Sequence, residues 1–175
     1  MTGQSFIERS RYYLAREYPA KIRIAVEQLP DAIVWRRPGQ DSNSIGNLLL
    51  HLSGNIRQWI VGGVGGTQVS RDRASEFAAH GGLTGAELLE LLEKAVADAD
   101  AVLAQLPEYE LSQSRTIQGR ETTVMGAVYH VVEHFSTHTG QILMLAKLFA
   151  PGSVKFYEDA GGVAVPLWGG NEGMA

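Results

Sequence analysis

Four stretches in which apolar residues recur every three or four positions dominate this chain, and that period commits it to long amphipathic helices. The first runs from about residue 6 to residue 29, with Leu14, Tyr18, Ile22, Ala25, Val26 and Leu29 on one stripe. Pro19 interrupts it. An interior proline lacks a backbone donor and clashes with the preceding turn, so a kink or a later start is expected there. The second helix follows the cap-forming cluster "QDSNS", carries Ile45, Leu48, Leu49, Leu52, Ile56, Trp59 and Ile60, and ends in "VGGVGG". Thr84 and Glu87 form a capping box for the third, with Leu83 set to staple onto Leu88. Its stripe is Leu88, Leu91, Leu92, Ala95, Val96, Val102 and Leu103. The fourth, capped by Thr122 or Thr123, extends to about residue 149 and stops at Pro151 and Gly152.

Four such helices without a succession of strands predict an all-α fold, a four-helix bundle with antiparallel or crossover connections. A chain of 175 residues suits one domain over 1–175. Residues 151–175 are expected to form an irregular tail that drapes over the bundle or frays. The connections at 61–83 and 107–121 are long for a bundle, and such connections are commonly functional or carry small structure of their own. "LSQSRTIQGRETT" alternates enough to form a small hairpin before the last helix.

The stretch "HVVEHFSTHTGQI" places His130, His134 and His138 at successive four-residue steps on the fourth helix. Residues four apart stack on one face, so both neighbouring pairs could grip one ion. At ~100° per residue, the apolar stripe of Val124, Val128, Val131, Phe135, Ile142 and Phe149 separates them. His138 falls inside the stripe and His134 on its flank, where Gln141 could support it. His130 lies further round, near Glu133, as an outlier or an extra ligand. Residues 130–134 also match the H-x-x-E-H pattern of inverted zinc proteases. Glu133 points away from the stripe, and the chain is far too short for such an enzyme, so the match is coincidental. Two ligands do not complete a site, and spacing alone leaves metal binding and core hydrogen bonding evenly balanced.

A third ligand has to come from another helix. In "NSIGNLLLHLSGNIRQWI", His51 stands at the edge of the second helix's apolar stripe, between Asn47 and Asn55 at four-residue steps. An isolated histidine there would be surface; the pair on the fourth helix favours a shared core site, with Asn55 beside it. His80, in a glycine-rich loop, is left out. These two stretches resemble the DinB/YfiT-like metalloenzyme superfamily, and a DinB-like branch of it in particular. "RDRASEF" and "IQGRETTV" are similar to that branch too, so the resemblance covers most of the chain. It implies one histidine on the second helix and an H-x-x-x-H-x-G-Q motif on the fourth. Those positions are His51, His134 and His138, followed by Gly140 and Gln141. His130 is an addition to the pattern.

What the resemblance implies is a three-histidine site for one divalent metal ion and homodimers. Imidazole suits zinc, nickel and ferrous iron, and availability often decides among them. Three neutral ligands leave a coordination position open, as in catalytic sites. Characterised relatives imply transfer or isomerisation with a low-molecular-weight thiol such as mycothiol or bacillithiol, or, less directly, hydrolysis. No carboxylate stands on either ligand-bearing stripe, which favours a thiol cosubstrate over a hydrolase. The rival from another class is a non-catalytic, metal-stapled, stress-related binding protein.

Charge and composition narrow the partners. Residues 1–37 carry seven Lys/Arg against four Asp/Glu, a local +3, leaving −7 over the rest of a chain whose net charge is −4. With no basic patch interleaved with aromatics, a nucleic-acid partner is not expected. Cysteine is absent, so no thiolate of the chain can ligate a metal or attack a substrate. No leader-like h-region and no apolar run of roughly 20 residues occurs, which predicts cytoplasmic residence away from membranes.

Overall fold

The computed structural model describes residues 2–152 and 154–168. Its backbone is mostly helical. Helix α1 (Gly3–Tyr12) continues through a π-turn (Tyr13–Glu17) into α2 (Tyr18–Val26), and a short α3 (Asp31–Val34) follows. Helix α4 (Ile45–Ile56) runs on as a π-helical segment (Arg57–Val64). The connection after it folds a six-residue α5 (Arg73–Ala78) before α6 (Gly85–Ala104). A 3-10 turn (Glu108–Ser112) and the strands β1 (Ser114–Ile117) and β2 (Arg120–Thr123) lead into α7 (Val124–Phe149).

Pro19 is absorbed without ending the first helix, which starts earlier than its stripe suggested. In the π-turn, Tyr18 N–H reaches back to Tyr13 O, so the proline falls in the first turn of a new α-segment. Donors there lack helical partners in any case, and the missing N–H costs little.

The expected caps are present. Ser44 with Asn47 and Thr84 with Glu87 form reciprocal capping boxes, and Thr123 caps α7. The staple from Leu83 is not: its side chain stays exposed while its carbonyl accepts from Trp35 Nε1 at 2.7 Å. On α6, Leu91 turns outward and Leu89 takes the buried place. The hairpin forms as expected, β1 pairing β2 from Ser114↔Thr123 to Ile117↔Arg120. Its turn carries Gln118 and Gly119 at φ 54° and 72°, both in the left-handed region a tight hairpin uses.

The tail differs from expectation in carrying β3 (Tyr157–Asp159) and β4 (Ala164–Pro166), paired antiparallel. Phe156 buries against the bundle and Lys21 sits 4.3 Å over the Trp168 ring, so this part does drape as expected. The expected irregularity beyond residue 168 lies outside the described residues. No helix among the described residues is long and apolar enough to cross a membrane.

Packing sets up the site. Helix α4 and its π-helical extension lie against both α6 and α7, while α1 and α2 close the other side of the same two helices. The first and second long helices are therefore diagonal, a crossover arrangement. The α5 connection covers another flank of α4, so all but Leu50 and Gly54 of the twelve α4 residues are buried. Each fully enclosed leucine or isoleucine there contributes roughly 1.5–3 kcal/mol, but the same enclosure obliges Asn47, His51 and Asn55 to be polar inside a core.

Gly46 permits the Trp35 ring to lie on α4, because a Cβ would stand 2.8 Å from its Cε3 and Cζ3. The Trp35 hydrogen bond to Leu83 prevents an easy retreat. Gly46→Ala should therefore destabilise the fold by about 1 kcal/mol or more, the overpacking cost exceeding the helix-propensity gain of ~1 kcal/mol. Urea unfolding followed by far-UV circular dichroism checks this; a more stable variant contradicts it.

Candidate metal centre

His51 projects from the buried helix α4, and His134 and His138 from α7 one turn apart. One ring nitrogen from each converges, all within 4.8 Å of one another. His51 is 3% exposed, whereas His134 and His138 are half-buried, so the cluster sits at the edge of the core. The Nε2 atoms of His51 and His134 are 2.9 Å apart. The His134 and His138 rings meet edge to face at 4.4 Å between centroids.

Hydrogen bonds on the far side of the rings assign the lone pairs. His51 Nδ1 lies 2.9 Å from Glu76 Oε2. Arg71 grips the same carboxylate through Nε to Oε1 at 2.7 Å and Nη2 to Oε2 at 2.8 Å. Burial alone would raise the Glu76 carboxyl, but Arg71 and His51 outweigh it and hold it below the ordinary carboxylate range. An ionised carboxylate can only accept, so His51 Nδ1 carries the hydrogen and Nε2 is the ring nitrogen turned to the cluster. Arg71 Nη2 also lies 3.1 Å from that Nδ1, but its two hydrogens are used by Glu76 and by the His51 carbonyl at 3.3 Å. His138 Nδ1 meets Gln141 Oε1 at 2.7 Å, which leaves His138 Nε2 free toward the cluster.

Neutral, oriented imidazoles are what a divalent cation requires. Burial, reinforced by His138, His51, His130 and Arg71, pushes His134 down to about 3. His138 is lowered as well, chiefly by burial, with Gln141 opposing. The donor set therefore fits a metal ion, and these three residues could hold one.

Other expected residues fall into place. Gln141 supports His138 rather than His134. Asn55 is buried on α4, but no hydrogen bond among the described residues ties it to the histidines. His130 stacks on His134 at 5.3 Å and on Trp59 at 4.3 Å, outside the converging set. Glu133 and His80 are exposed. Arg71, Glu76 and Gly54 are the residues that helical periodicity could not supply. A Cβ on Gly54 would overlap the Glu76 carboxylate and stand 2.7 Å from Arg71 Nε. A glycine inside a strongly apolar helix, three residues after a histidine, was the available signal.

The fold of this chain is similar to that of DinB-like proteins. Two solved structures share the fold. One is a DinB-like protein from Bacillus cereus ATCC 10987, 14% identical, with a TM-score of 0.65 over 83% of this chain and 91% of that one. The other is a DinB-like protein (YjoA) from Bacillus subtilis, 19% identical, with a TM-score of 0.63 over 86% and 97%. The family model described as "Protein of unknown function (DUF1572)" matches residues 1–157, and the chain belongs to that family. No match was found among curated proteins.

The lowered histidines make metal-free stability depend on pH. In the unfolded chain these imidazoles titrate near 6.5, whereas folded His134 stays neutral down to about 3. Below 6.5 the unfolded state binds protons that the folded state refuses, so stability falls as pH drops through that window. Glu76, lowered when folded, acts in the same direction at more acidic pH. Urea midpoints measured from neutral to mildly acidic pH should decline, and less steeply in His134→Gln; equal slopes would contradict the assignment.

Proposed function

We propose that this protein is a divalent-metal-dependent enzyme in which His51, His134 and His138 hold one zinc, nickel or iron ion, and that it transfers or isomerises a substrate with a low-molecular-weight thiol. The observation that carries the reading is the convergence of three imidazole nitrogens whose opposite ring atoms, on His51 and His138, are bonded to Glu76 and Gln141. A divalent ion held by three neutral ligands keeps its full charge, leaves a position open, and lowers the pKa of a thiol or water that binds there.

What the surrounding side chains do favours the thiol. Both oxygens of Glu76 are engaged by Arg71 and His51, so it does not serve as a free base. Glu133 is exposed and outside the converging set. A hydrolase would more comfortably have a free carboxylate beside the ion, whereas a thiol loses its proton on binding a cation. The reading carries with it a cytoplasmic homodimer acting on a small molecule, without nucleic acid or membrane. A metal-dependent hydrolase is the alternative within the enzyme class. A metal-stapled binding protein would need a fourth protein ligand, and His130, the candidate for it, is packed between Trp59 and His134.

Elemental analysis of untagged protein tests the site. Near one equivalent of metal is expected in wild type and His130→Ala, and loss in His51→Ala, His134→Ala and His138→Ala with helicity unchanged. Cobalt-substituted protein should then show sulfur-to-metal charge-transfer absorption on addition of cysteine. No metal after reconstitution with zinc, nickel or iron would sink the proposal, and cobalt protein whose spectrum ignores thiols would turn it toward hydrolysis.

A further inference from the structure

We propose that Arg71 and Glu76 are positioning residues for the ion, and that docking of the α5 connection on helix α4 is coupled to metal binding through His51. The inference rests on the three-histidine reading and extends it to a segment that touches no ion. Three observations carry it.

The first is the completeness of the pair. Arg71 and Glu76 have side chains only 4% and 10% exposed, and a buried pair is tolerated when every charge is met. Arg71 donates to both Glu76 oxygens, to Gln58 Oε1 at 2.9 Å and to the His51 carbonyl, while Glu76 accepts from His51 Nδ1. The ion pair is thus built around one imidazole.

The second is the accommodation made for it on α4. Gly54 lies under the pair, and any Cβ there would displace the carboxylate. Helix α4 forgoes a side chain where Glu76 Oε1 approaches.

The third is how little apolar burial holds the segment. Glu76 is the one buried residue of α5, and Phe77, half-buried, lies over the His51 ring at 4.6 Å. The remaining ties are polar. Asn47 Nδ2 donates to Glu76 O at 2.9 Å and Ala79 O at 2.8 Å. Arg37 Nη2 donates to Phe77 O and Ala79 O. A segment fastened in part through a ligand's own hydrogen bond responds when that ligand is occupied, and by linkage the ligand responds to the segment.

Zinc affinity, measured by competition with a chromophoric chelator, tests this in wild type, Glu76→Gln, Glu76→Ala and Gly54→Ala. Backbone hydrogen exchange of residues 71–79 with and without zinc provides the second readout. A 10–100-fold loss of affinity is expected in the Glu76 variants, the usual consequence of removing a carboxylate behind a ligating histidine. Gly54→Ala should lose affinity too, although it contacts no ligand nitrogen. Zinc should slow exchange across α5 in wild type and not in Glu76→Ala. If Glu76→Ala fails to fold, Glu76→Gln, nearly isosteric and without the charge, decides alone. Wild-type affinity in a folded Glu76 variant, or exchange indifferent to zinc, overturns the coupling and leaves the metal site standing. Wild type that binds neither zinc, nickel nor ferrous iron overturns both.

Discussion

A buried ion pair between Arg71 and Glu76 is the contact on which the rest of the site depends. Taking two charges out of water costs several kcal/mol each before their attraction is counted. A bundle of this size has cheaper ways to cover a helix, and replacing a buried pair with apolar side chains such as leucine is often neutral or stabilising. What leucine could not do is accept a hydrogen from His51 Nδ1. The carboxylate fixes the tautomer and the ring plane of a histidine enclosed on nearly every side, and so decides which lone pair faces His134 and His138.

The crossover topology makes that contact possible. Because the first and second long helices are diagonal, α4 is the neighbour of both α6 and α7. Its ligand can then meet two histidines of α7 across a core interface, where burial keeps all three rings close. The connection from α4 to α6 must travel over the flank of α4, and α5 lies along that route. Its length, long for a bundle, is explained by what it delivers.

The four helices were legible because each buries one face, and a 3.6-residue period records that face in sequence. His134 and His138 were legible for the same reason, as polar interruptions in an apolar stripe. His51 needed the second pair to make sense of it. Leu83 and Leu91 were misread as buried, since a periodic pattern does not say how far around the helix the neighbours reach. Arg71 and Glu76 had no period to betray them: α5 is six residues long, capped by Asp72 and held mostly by side-chain bonds to other elements. The π-turn before Pro19 was equally invisible, because the apolar steps from Leu14 through Tyr18 and Ile22 to Ala25 stay at three or four residues.

The second long connection reaches the same arginine from the other side. Gln58 Oε1 accepts from Arg71 Nη1 and also from Gln118 Nε2, which sits at the hairpin turn between β1 and β2. Ile117 of that hairpin packs onto Gly63 in the π-helical extension of α4, where a Cβ would collide with it. Both departures from a minimal bundle therefore meet at the π-helical end of α4, one through a guanidinium and one through an amide. The π-segment that carries Gln58 and Trp59 follows directly on the α-helix that carries His51 and Gly54, so one length of backbone sets the spacing of ligand, supports and hairpin alike. That common anchorage accounts for why a helical protein retains two strands against its second helix: they brace the residue that braces the arginine.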